Sequence, residues 1–106
     1  MTESEWRTFR KLQEVGLERF CERILREIQD VSTNSSKKFH ERYLEIYRLV
    51  RERDKEVGWA FNDARRSNAL QKLAALCVLR LVSPEELARF AQDTQAGVQT
   101  LVDLQK

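Results

Sequence analysis

Turn residues are scarce in this chain: three glycines and one proline in 106 residues. A fold of many short strands needs Gly, Pro and Asn at its frequent turns, so the scarcity argues against that class. Cysteine is nearly as rare. Cys21 and Cys77 lie far apart, form no C-x-x-C, and exclude a disulfide scaffold. Both fall among apolar residues at helical spacing, so buried thiols in a reducing compartment are expected, with an inter-helix disulfide as the lesser alternative. His40 is the single histidine, and no spacing gathers it with other ligands, so no metal is expected. The longest apolar run, Leu73 to Leu79, ends at Arg80, far below the roughly 20 residues of a bilayer span. The polar stretch from Met1 to Arg10 lacks a signal-peptide core. These features point to the cytoplasm. There is no glycine-rich phosphate loop, no G-x-S-x-G and no dinucleotide fingerprint, so neither an enzyme nor a cofactor is expected.

What is present is helical. Hydrophobic residues make up 42% and charged residues 34%, a balance that suits one globular domain over 1–106. Thr2 and Glu5 form a capping box, and apolar residues then recur at three- and four-residue steps, which predicts a first helix over about 3–30. Its seam reads Trp6, Leu17, Phe20, Cys21, Ile24, Ile28 and Val31, with Leu12 and Val15 off it, toward other helices. The Ser-Thr-Asn-Ser-Ser stretch of 32–36 is a turn. A second helix over about 36–61 shows the stripe Phe39, Tyr43, Ile46, Val50, Val57 and Phe61. Asn62 or Asp63 caps a third, mostly apolar helix over about 64–81. Ser83-Pro84-Glu85-Glu86 opens a fourth over 84–91, and Asp93 or Thr94 caps a fifth over 95–104. The fold class is all-α: a long antiparallel helical hairpin with three shorter helices packed against it.

Candidate sites are few. Arg53 and Asp54 interrupt the stripe of the second helix. A charge facing a seam needs a partner, because its desolvation costs several kcal/mol. Arg65 or Arg66, with Asp63 nearby, is the expected partner of Asp54, in a network that sets the angle between helices 2 and 3. The free amides at the start of helix 3, with Arg65, Arg66 and Ser67, form a candidate anion site. His40, Tyr47 and Asp54 follow one line along the edge of the stripe, either an acid–base row or a boundary row reaching water. Trp59, on the back of helix 2, and Leu44 and Leu49, off the seam, are candidate interface residues, covered by helices 3–5 or by a second subunit. Glu18 and Glu22 with Arg19, Arg23 and Arg26 are spaced to pair along a solvated face.

Charge is nearly balanced overall, at +2, yet residues 64–82 carry Arg65, Arg66, Lys72 and Arg80 without an acid. A helix-turn-helix could be drawn over helices 3 and 4, but its reading helix would open on Pro84, Glu85 and Glu86, which repel phosphates.

The string His40-Glu41-Arg42-Tyr43-Leu44, with Arg53-Asp54, Ala60-Phe61, Arg65-Arg66-Ser67 and Ser83 to Phe90, resembles a group of short bacterial helical proteins with no established activity. The likeness spans about residues 5–101. It implies a bacterial, cytoplasmic protein and supplies no catalytic residue. The leading expectation is a non-catalytic helical interaction protein, as a homodimer or with a protein partner. A small nucleic-acid-binding regulator using the 64–82 segment is the second expectation. No membrane partner is expected.

Overall fold

Thr2 begins the first helix as the capping box requires. Its hydroxyl accepts from the Glu5 amide at 3.1 Å, and the Glu5 carboxylate accepts from the Thr2 amide at 3.1 Å. The computed structural model describes residues 1–105 and is all-α, with no strand among them. Helix α1 spans Glu3–Ser32 and α2 spans Phe39–Phe61. A single 3-10 turn at Arg66–Asn68 leads into α3, Ala69–Val78. Helix α4, Pro84–Leu87, is one turn, and α5 is Gln92–Leu104. No helix among the described residues is long and apolar enough to cross a membrane.

The partners shared by α1 and α2 climb one helix as they descend the other, so the two run in opposite directions. Gln13 Nε2 donates to the Ala60 carbonyl at 3.1 Å, Arg53 Nε lies 3.2 Å from Glu27, and Arg42 Nη1 donates to the Ser32 carbonyl at 2.9 Å. Between them, Asn34 closes the turn by accepting from the amide and hydroxyl of Ser36. That holds Ser36 within the turn, and α2 starts three residues later than predicted, at Phe39.

The core gathers at one end of this pair. Phe9, Leu12 and Phe20 of α1, Ala60 of α2, Leu73 and Leu76 of α3, and Leu81, Phe90 and Val98 beyond it are buried together. Helix α3 is the most enclosed, as its apolar circumference predicts. The buried line of α1 runs through Phe9, Leu12, Gly16 and Phe20, so Leu12 belongs to the core. Val15 and Cys21 are exposed. Both cysteines are free thiols, and burial raises the pKa of Cys77.

Boundaries further along the chain also differ from the sequence reading. The third helix does not start at Asn62 or Asp63, because Asp63 takes a left-handed backbone (φ 57°) that breaks the chain direction. Asn68 then braces the corner: its side chain accepts from the Arg65 amide and donates to the Asp63 carbonyl, each at 2.8 Å. The fourth helix stops at Leu87 rather than 91. The fifth starts at Gln92, ahead of Asp93 and Thr94. Its cap residue, Ala91, has no side-chain oxygen, and Glu5 of α1 supplies one, accepting from the Ala91 amide (3.2 Å) and the Thr94 hydroxyl (2.7 Å). The Thr94 hydrogen bond, first, and the Thr2 and Ala91 amides lower the Glu5 pKa.

The end of α3 is held from α1. Leu81 N donates to Leu76 O and Arg80 N to Cys77 O, the two bonds of a Schellman motif, with Arg80 in the left-handed position at φ 58°. Arg23 donates to the carbonyls of Leu79 and Arg80, and Arg19 to that of Leu81. Arg19 also forms a two-pronged pair with Glu86 at 2.6 and 3.0 Å. These two arginines, expected on a solvated face, are tertiary clamps at the negative end of a helix.

Candidate interaction surface

Helix lengths decide where the molecule is covered. At 1.5 Å per residue, α1 and α2 are about 45 and 35 Å long, whereas α3 and α5 reach only about 15 and 20 Å. The molecule measures 52 × 24 × 24 Å. The half of the α1–α2 pair nearest the 33–38 turn therefore projects beyond the core.

The stripe of α2 records this change. Val57 and Phe61, at its base, pack against the core. Phe39, Tyr43 and Val50, expected in the same inner seam, are 82%, 65% and 45% exposed. The stripe keeps its helical spacing but loses its cover. A single antiparallel neighbour shields only the side of α2 turned directly to it. That side holds Ile46, Leu49, Arg53 and Ala60, with Arg53 bonded to both Glu27 and Glu56. The two carboxylates raise the Arg53 pKa, Glu27 first. Lys37 pairs with Glu45 at 2.6 Å. Beside this seam lies a groove of about 480 Å³ whose charged lining is Glu27, Asp30, Glu45, Glu52, Arg48 and Arg53.

The expected salt cluster at the elbow is absent. Asp54 is exposed and, among the described residues, makes no ion pair. The reason is rotational: Arg53 takes the seam position and its neighbour Asp54 turns outward. Arg53 finds its acids on α1 and its own helix, not at Asp63, whose backbone carbonyl serves Asn68. Arg66 pairs with Glu3 and lies 5.9 Å from the Trp6 ring centroid, with Arg10 at 6.0 Å. Arg65 is exposed.

His40 stacks on Tyr43 (ring centroids 6.5 Å apart), and Arg51 lies over Tyr47. His40, Tyr47 and Asp54 are seven residues apart in turn, hence about 10 Å apart along the helix, too far to pass a proton between them. The three are exposed, at the outer edge of the bare stripe.

Around the candidate anion site, Arg66 and Ser67 border a groove of about 340 Å³ shared with Asp93 and Thr94. Asp93 and the Glu3 pair place negative charge beside Arg66. Lys72 donates to the Trp59 carbonyl at 2.6 Å, so Lys72 and Arg66 point to separate partners. Trp59 is 42% exposed and edges a groove of about 210 Å³ lined by Ala74, Ala75 and Leu101 of α3 and α5. Leu44 and Leu49 are half-buried. Among the described residues no three His, Cys, Asp or Glu side chains converge as a metal site would require.

Sequence reasoning placed Phe39, Tyr43 and Val50 inside. They lie outside because α2 has one neighbour along this half, which shields only the side turned to it, and no local pattern shows which side that is. Comparison of the chain with family models, curated proteins and solved structures gives no match.

Proposed function

We propose that the chain is a non-catalytic helical interaction protein that binds another protein surface through the projecting half of α1 and α2. The reading takes the molecule as a long antiparallel hairpin with three shorter helices packed against one end. Its carrying observation is the bare continuation of a covered stripe: Phe39, Tyr43 and Val50 prolong the line of Val57 and Phe61 into solvent. Contiguous exposed apolar side chains of this size mark an interaction site. Trp59 and Leu44 remain candidate contacts on the other sides of α2, whereas Leu49, expected off the seam, is half-buried on the side turned to α1. Arg65, Arg66 and Ser67 are a secondary candidate for an anionic group of the partner. The free thiols of Cys21 and Cys77 suit a reducing compartment, and the cytoplasm is the proposed location.

Affinity capture and sedimentation of the wild type against Phe39→Ala/Tyr43→Ala/Val50→Ala test the reading. It requires a macromolecular complex, with self or another protein, that the triple variant loses while keeping its helicity. A wild type that forms no complex, or a complex indifferent to all three residues, defeats it. Arg65→Ala/Arg66→Ala tests the secondary contact, which is wrong if only stability changes.

A further inference from the structure

We infer that the occupant of the bare stripe is a second copy of this chain, in a two-fold dimer whose projecting helix pairs stack as a four-helix bundle. This rests on the interaction reading above and names its partner.

The face is larger than one stripe. Facing α2, α1 presents the line of Phe9, Gly16, Phe20 and Glu27, and α2 answers with Arg53 and Ala60. At about 100° per residue, the half-buried Leu17, Ile24 and Ile28 lie roughly 60–100° to one side of the first line. Phe39, Tyr43 and Val50 lie roughly 50–90° from the second in the same rotational sense. Because the helices are antiparallel, equal rotations bring both sets to the same flank. The short helices occupy the opposite flank: Arg19 and Arg23, which clamp residues 79–81, are rotated the other way, as is Trp59, whose carbonyl holds Lys72.

The flank is chemically a bundle interior, not a phosphate groove. From Leu17 to Ile28 and from Phe39 to Val50 it presents aliphatic and aromatic side chains and no free cation. Arg42, which lies 4.6 Å over Phe39, is committed to the carbonyls of Ser32 and Lys37. Nucleic acid would lack the backbone contacts that supply its affinity.

The area matches a self-interface. A monomer of 12.6 kDa is expected to expose about 6,200 Å². This chain exposes 7421 Å². Its radius of gyration is 16.3 Å, against about 13 Å for a compact domain of its length. The surplus of about 1,200 Å² exceeds the roughly 800 Å² per partner that a standard stable interface buries. An isologous contact uses the same patch twice, so one apolar flank suffices for closure.

Sedimentation equilibrium on the purified protein tests the assignment. The wild type is expected to show a monomer–dimer equilibrium. Tyr43→Glu/Val50→Glu should raise its dissociation constant at least roughly 100-fold, because it buries like charges with no partner. Leu25→Arg, on the exposed back of α1, should leave it unchanged. If the double variant loses its helical circular dichroism, amide exchange of the wild type replaces it: protection at 39–50 must fall on dilution, and constant protection overturns the inference. A wild type that stays monomeric at about 1 mM overturns it too. A dimer insensitive to the double variant also overturns it. A monomer that captures a different protein through Tyr43 and Val50 overturns the second copy yet leaves the interaction surface standing. Retention of a single-stranded oligonucleotide by the monomer, dependent on Tyr43, assigns the flank to nucleic acid and sinks both.

Discussion

Glu86 shows how one residue serves two levels of structure. Its carboxylate closes the Ser83 capping box and pairs with Arg19, sixty-seven positions earlier in the chain. The Arg19 guanidinium, first, and the Ser83 amide hold its pKa at about 2, below the ordinary 4.5. A carboxyl depressed on folding stabilises the protein fully above its unfolded pKa. That contribution fades as pH falls from 4.5 toward 2. Solvent on the Arg19 side limits it to about 1–2 kcal/mol. Glu86→Gln should therefore lower stability in urea by that amount at neutral pH, and the gap to the wild type should close near pH 2. A gap independent of pH would remove the ion pair from the account. Arg80 offers the opposite sign. It occupies the left-handed position that favours glycine, and its carbonyl, not its side chain, meets Arg23. Arg80→Gly should raise stability by about 0.5–1 kcal/mol in thermal unfolding. A loss would mean that the Arg80 side chain has a contact of its own worth more than the backbone strain.

At the scale of elements, α1 and α2 are each divided into a covered and a projecting half. The covered half touches α3, and the projecting half has only its antiparallel neighbour. There Arg53, joined to Glu27 and Glu56, is the chief polar tie. The groups are partly solvated, so Arg53→Ala should cost only about 0.5–1 kcal/mol globally. Its local effect should be larger: amides of 24–31 and 46–56 should exchange faster by hydrogen–deuterium measurement, while those of α3 keep their protection. Uniform acceleration across the chain would show instead that the two halves unfold as one. The element boundaries followed local chemistry where caps are local. Thr2 with Glu5 and Ser83 with Glu86 are three residues apart, and both were legible. The start of α5 was not, because its acceptor, Glu5, comes from another helix. Nor was the start of α3, which depends on the left-handed turn at Asp63.

For the whole molecule, an extended shape with surplus surface and a row of exposed apolar side chains has a thermodynamic consequence. If a second copy covers the flank of Phe39, Tyr43 and Val50, association stabilises the folded state by mass action, and the thermal midpoint should rise with protein concentration. A tenfold increase that leaves Tm unmoved in calorimetry would contradict that coupling. The amino-acid sequence alone determined that the chain is all-α, where the apolar stripes fall, and that α3 is enclosed, because helical periodicity and short-range caps are properties of neighbouring residues. Only the tertiary structure decided which part of each stripe is covered, which acids Arg53 meets, and that Arg19 and Arg23 grip the end of α3. Those outcomes depend on the relative lengths, directions and rotations of separate helices, and no local pattern encodes them.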